Sequence, residues 1–225
     1  MHDLKKLQEI DPLKRMAEKQ SKQEEFSPMA PPDAYAPPNI ESVPYEKMPS
    51  LIQKLMDEHQ SVQEQMDAFE KVLIQLQQNG LTPDKEIDTT LREFFTFIDE
   101  TILRHQLIEE KLLFPLLQKK LLEQGEHGAG QSPQTAIDVM EADHIKIMQL
   151  AAVTFNLLAL SARLSHLASR AMVLDAAIEQ GKQIVEIMRL HIFREDNVVF
   201  SLAEKYLSDE EFKELEKQLP RFEHY

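Results

Sequence analysis

An all-α, up-down-up-down four-helix bundle is the fold class this sequence predicts, on three observations. Long apolar stripes of 3.6-residue period fill residues 50–205, glycine and proline interrupt them in only a few clusters, and strand-like alternation is absent. The bundle is expected over residues 48–220. A polar, proline-rich tail or linker over 1–47 precedes it, and a short C-terminal helix closes it.

Each element follows from its own pattern. Residues 1–25 are polar and charged, and Phe26–Pro49 carries seven prolines, from Pro28 to Pro49 itself. Such density removes backbone donors and fixes φ, which favours an extended segment over a helix. The first helix is expected over about 48–78, with Leu51, Leu55, Val62, Met66, Phe69, Leu73 and Leu76 on one stripe. It ends at Asn79–Gly80. The second starts near Pro83–Asp84 and turns Leu91, Phe94, Ile98, Ile102, Leu112 and Leu116 inward, with Pro115 bending it. Gly125, Gly128, Gly130 and Pro133 mark the next loop. The third helix, from about 134, places Ile137, Met140, Ala151, Phe155 and Leu158 inward. After a break around Ser165–Ser169, the fourth presents Leu174, Ile178, Ile184, Met188, Val198 and Leu202. Ser208 and Glu211 form a capping box for the last helix.

Composition narrows function. A formal charge of −14 over 225 residues leaves no basic surplus to displace counterions, so nucleic acid is not an expected partner. With no cysteine, disulfides, thiolate catalysis and sulfur-ligated metals are excluded, and any metal is held by nitrogen and oxygen. The charged N-terminus lacks the apolar core of a signal peptide, and no apolar run approaches membrane-spanning length. No membrane association and a cytoplasmic location are expected.

Four of the eight histidines fall on the inward stripes, one per helix. His59 is in step with Leu55 and Val62, His105 with Ile98 and Ile102, His144 with Ile137 and Met140, and His191 with Ile184 and Met188. Two of them are followed by a carboxylate one turn on, as His105–x3–Glu109 and His191–x3–Glu195. An i, i+4 pair lies one above the other on a helix. It can bind one metal, or its glutamate can bridge two. His59 lies about 20 residues before the Asn79–Gly80 turn and His105 about 22 after Pro83, so the two are level. His144 and His191 lie about 23 and 24 residues from the break near 167 and are level too. A lone inward histidine is usually a hydrogen-bonded core residue. Four of them, level with two inward glutamates, point instead to a buried cation, because burying two uncompensated carboxylates is costly. Imidazole and carboxylate suit iron, manganese or zinc. His127, His166, His2 and His224 read as loop or surface residues, and Glu58 and Glu141 as either partners of the imidazoles or solvated faces.

At these residues the sequence resembles the hemerythrin-like HHE cation-binding family, over roughly 50–205. HQLIEEKLLFP, MEADHIKI and HIFREDNVVF look like its metal-binding helices. Within the family it is most similar to the di-iron proteins that repair iron–sulfur centres. The resemblance implies two iron ions, oxo or carboxylate bridged, with His59, His105, Glu109, His144, His191 and Glu195 as ligands and the two glutamates bridging. Two departures stand out. Oxygen-carrying members have another histidine where this chain has Met148, and their last carboxylate falls where this chain has Asp196 beside Glu195. Repair proteins often carry a cysteine-bearing N-terminal domain, and here a cysteine-free tail takes that place.

Ligand counting sets the expected chemistry. Two bridging carboxylates and two histidines give each metal four donors, a bridging oxygen a fifth, and one position stays open on each. Adjacent open positions roughly 3.5–4 Å apart suit a peroxide or two small molecules better than reversible O2 carriage. A ferritin-like oxidase needs two Glu–x–x–His pairs, and only Glu141–x–x–His144 occurs. Tyr206, three turns beyond Glu195, is the tyrosine closest in sequence, which argues against a tyrosyl radical. The expected function is a non-haem di-iron protein handling O2, nitric oxide or peroxide, in iron–sulfur repair or in nitrosative and oxidative stress. The alternatives are an O2- or iron-sensing module without turnover, whose tail contacts a protein partner, and a metal-free bundle whose polar core groups pair with one another.

Overall fold

Helix boundaries follow the capping chemistry written into the chain. The computed structural model describes residues 43–80, 84–128 and 134–222, and among these residues every regular element is helical. Residues 1–42, 81–83, 129–133 and 223–225, among them most of the expected tail, His2 and His224, lie outside the described residues.

Helix α1, Ser50–Asn79, begins after Pro49 and ends at Gly80, whose φ of 67° is left-handed and suits glycine. Helix α2 runs through 85–124. It starts where the Asp84 carboxylate accepts from the Glu86 and Ile87 amides and stops at Gly125, with φ of 75°. Helix α3, Ala136–Arg163, opens with a reciprocal capping box between Thr135 and Asp138. Helix α4 runs through 167–206, and the Nδ1 of His166 accepts from the Ser169 amide at its start. That places the expected break at Leu164–His166 and gives His166 a capping role. Helix α5, Asp209–Gln218, carries the Ser208–Glu211 capping box.

Packing follows the stripes. Helices α3 and α4, joined by three residues, run back along one another, α1 packs on α2 and α4, and α2 also meets α3. Gly181 of α4 lets α1 approach closely, for a Cβ there would meet the Leu73 methyls at 2.8 and 2.9 Å. Two apolar clusters fill the interior. One gathers Val62–Leu76, Ile87–Ile102, Ile147–Leu158 and Leu174–Ile192, the other Met48–Leu55, Ile108–Leu121, Ala136–Met140 and Val199–Leu215. His59, His105 and His144 fall between them in sequence, and His191 lies at the edge of the first, one residue before Ile192.

The structure departs from simple periodicity where the helices widen. Among the described residues three π-helical turns occur, at Ile98–Ile102, Glu109–Leu113 and Glu195–Val199. Each takes up an extra residue. The inward stripe therefore slips by one. Leu117 and Val199 are fully buried, whereas Leu116 and Val198, expected inward at a constant 3.6 period, are only partly so. Pro115 follows directly on a wide turn, which takes up the i−4 clash a proline brings. Phe155, also expected inward, is 54% exposed and meets Phe95 edge-on. The sequence reading of membrane-spanning length is corrected as well: Ala136–Arg163 is long and apolar enough to cross a membrane by length and composition. It nonetheless carries the buried His144 and packs along α4.

Candidate metal centre

The four histidines and two glutamates converge. Helix α1 supplies His59, α2 His105 and Glu109, α3 His144, and α4 His191 and Glu195, and all six are buried. The Nε2 atoms form two pairs, His59 with His105 at 3.3 Å and His144 with His191 at 3.2 Å. Each glutamate is divided between the pairs. The Oε1 of Glu109 lies 3.3 Å from His105 Nε2, and its Oε2 lies 3.4 Å from His144 Nε2. The Oε2 of Glu195 lies 3.2 Å from His59 Nε2, and its Oε1 lies 3.3 Å from His191 Nε2. Two groups result: donor atoms of Glu109, His144, His191 and Glu195 all lie within 4.8 Å of one another, as do those of His59, His105 and Glu195, and Glu109 approaches the second group through His105.

These separations fit a cation better than hydrogen bonds. At bond lengths of about 2.1 Å, donor atoms around one ion sit roughly 3.0–3.4 Å apart. All four oxygens of Glu109 and Glu195 are buried without a hydrogen-bond partner among the described residues. Facing Nε2 atoms at 3.2–3.3 Å cannot both carry protons without setting like charges against each other, whereas a shared cation satisfies both lone pairs.

The outer ring nitrogens are held from neighbouring helices. Nδ1 of His59 meets Asp196 at 2.8 Å, Nδ1 of His105 meets Glu58 at 2.9 Å, and Nδ1 of His144 meets Glu110 at 2.8 Å. An ionised carboxylate only accepts, so each Nδ1 donates and each Nε2 is directed at the centre. Such partners fix ring orientation and make the imidazole a more basic ligand. The fourth acid, Asp143, stands 3.7 Å from His191 Nδ1. Of the acids left open by the sequence, Glu58 and Asp196 therefore hold imidazoles, and Glu141 takes no part in these contacts. Glu110 and Asp143 were missed. Their signal was adjacency, since every ligand pair carries an acidic neighbour: Glu58–His59, Glu109–Glu110, Asp143–His144 and Glu195–Asp196.

The site repeats itself across the bundle. Two of the three π turns begin at a central glutamate, and five residues after it each reaches a buried phenylalanine stacked on a histidine of another helix. Phe114 covers His144 and Phe200 covers His59, each at 5.8 Å between ring centroids. The shared pattern His–x3–Glu–acid–x3–Phe, at 105–114 and 191–200, encodes this arrangement.

Protonation is shifted at His59, His105, His144 and Glu109. Burial alone would lower the His59 pKa, but the Asp196 hydrogen bond and the Glu195 contact outweigh it and raise it to about 9. For His105, burial is again overcome, chiefly by the Glu109 charge, and His144 moves up for the same reason. Burial would raise Glu109, yet the charges of His105 and His144 hold it well below the usual carboxylate range. Without metal these histidines and carboxylates contact one another in a buried network.

Beside the centre lies a cavity of about 10 Å3, room for one water-sized molecule, lined by His59, His105, Gln106, His191, Ile102 and Met188. Gln106, 6% exposed, lines this cavity beside His105. His127 bonds the Gly128 carbonyl on the surface, and Tyr206 donates to Glu126.

A comparison with curated proteins returns no match. The family model described as the hemerythrin HHE cation binding domain matches residues 50–203, which include all six of these residues. The chain belongs to the hemerythrin HHE cation-binding domain family.

Proposed function

We propose that this protein is a non-haem di-iron protein that handles O2, nitric oxide or peroxide, in the response to nitrosative or oxidative stress or in the repair of iron–sulfur centres. The observation that carries the reading is two adjacent donor groups, one of Glu109, His144, His191 and Glu195 and one of His59, His105 and Glu195, with Glu195 common to both and Glu109 reaching from His144 to His105. Family membership favours iron for such a donor set, and two ions are what the division accommodates. Bound iron would supply redox chemistry toward a small ligand. The chain's own residues hold and orient the ions, and Phe114, Phe200 and the apolar clusters keep bulk water away. In this reading the four long helices alternate up and down, the bundle extends over 48–220 behind the proline-rich tail of 1–47, and the protein acts in the cytoplasm.

Metal content and the visible spectrum of aerobically purified protein test this reading, with His105→Ala as control. About two irons per chain with oxo-bridged diferric bands, lost in the variant, are expected. A colourless protein that takes up no iron anaerobically would overturn it. Turnover of nitric oxide and peroxide by the loaded protein then separates the reactive reading from a second one. A sensing module is favoured by the four unpaired carboxylate oxygens, since occupancy of the site would change the stability of the whole bundle. A partner reached through the tail and bound in only one metal state would support sensing; a tail-deleted protein that behaves identically would count against it.

A further inference from the structure

Four histidines in one environment serve as controls for one another, and one of them differs. His59, His105 and His144 each donate Nδ1–H to a carboxylate at 2.8–2.9 Å. His191 does not. Its Nδ1 is buried with no hydrogen-bond partner among the described residues, and the nearest carboxylate oxygen, Oδ2 of Asp143, is 3.7 Å away. That oxygen already accepts from Nη1 of Arg194 at 2.9 Å.

The matching acid on the other side of the centre shows why. Glu58 also faces an arginine, Arg104, but divides its oxygens. Oε1 lies 3.5 Å from Arg104 Nη2, while Oε2 remains 2.9 Å from His105 Nδ1. Asp143 is one methylene shorter, and the Oδ2 it gives to Arg194 at 2.9 Å stands 3.7 Å from His191 Nδ1.

Resting on the two-metal reading above, we propose that Arg194 makes the two metal positions unequal by withdrawing Asp143 from His191. The position held by His59 and His105 has both imidazoles anchored and binds the tighter ion. The position held by His144 and His191 has one anchored imidazole and binds the looser, exchangeable ion. Loss of a carboxylate on the outer ring nitrogen typically weakens metal binding by 10- to 100-fold. A gap of about tenfold or more between the two steps is therefore expected. Arg194 is a positioning residue here, acting on the metal through Asp143 and His191. The consequence is a centre that keeps one ion and passes the other, as an iron donor or an occupancy sensor requires.

Stepwise titration of the metal-stripped full chain with Co2+, followed by calorimetry and visible absorbance, tests the inequality. Two steps separated by at least tenfold are expected for the parent. Arg194→Gln should strengthen the weaker step about tenfold and leave the stronger one unchanged. Arg194 is 38% exposed in its side chain, so this change should not disturb folding. Asp143→Glu supplies the missing methylene and should produce the same strengthening with Arg194 in place. Conversely, Glu58→Gln should weaken the stronger step by 10- to 100-fold. Two equal steps in the parent, or two steps that neither Arg194→Gln nor Asp143→Glu moves, would overturn the proposal while leaving the two-metal reading intact. No Co2+ or Fe2+ uptake at all would overturn the two-metal reading instead.

Discussion

Glu109→Gln should cost the protein both metal ions at once. The Glu109 oxygens are divided between His105 and His144, at 3.3 and 3.4 Å, so one substitution touches both donor sets. An amide keeps the volume but offers one weak oxygen and a nitrogen that does not ligate. Loss of an outer carboxylate already costs 10- to 100-fold in affinity, and loss of a shared inner one should exceed about 100-fold at each position. Glu195→Gln should behave alike, because its oxygens divide between His59 and His191 in the same way. Metal content after equilibrium dialysis reads the effect, and far-UV circular dichroism checks that the helices survive. A variant that retains one ion per chain would show that Glu109 serves a single position.

The metal-free protein should lose stability as pH rises from about 6.5 to about 9, while the loaded protein should not. His59 has a folded pKa of about 9 against an ordinary value of 6.5. A raised pKa contributes stability that is fully present below the unfolded value and lost as pH climbs through the folded one. For His59 that contribution is roughly 3 kcal/mol. A loss of that size lowers the melting temperature by roughly 6–12 °C in a domain of this size. His105 and His144 shift in the same direction and add to the alkaline loss. The depressed Glu109 expresses the same interaction from the carboxylate side, giving stability present above about 4.5 and lost on strong acidification.

Metal reverses the alkaline slope. Ligation requires each Nε2 without its proton, so binding releases protons and strengthens as pH rises through the same window. At 100 times its dissociation constant, an ion adds about 2.7 kcal/mol of stability. The difference in melting temperature between loaded and chelator-treated protein should therefore widen from pH 6.5 to 9. A metal-free melting temperature that stays flat across this range would mean that the buried imidazoles are already neutral.

Much of this was legible in the residues themselves. Asp84, Thr135 and Ser208 announce helix starts because a side-chain oxygen beside free amides is a local interaction, and local interactions are written in sequence order. The six central residues were legible for a related reason. Histidines in step with apolar stripes must face inward, and a glutamate four residues later must lie on the same face. The limits of that logic appear at Leu116 and Val198. The wide turns begin at Glu109 and Glu195, and a reading at a constant 3.6 residues per turn runs one residue out of step beyond them.

What the sequence by itself determined, then, is what repeats along a single helix: the capped ends, the inward faces and the six residues that could share a cation. Contacts between helices were decided only by the tertiary structure. Glu58 holds His105 on α2 rather than its own neighbour His59, and Asp196 crosses from α4 to His59. Arg194 takes the oxygen that His191 lacks, although both lie on α4 and the oxygen belongs to α3. The physical reason is that a side chain's outer partners depend on the register between two helices and on single-methylene differences in reach, and neither has a period along the chain.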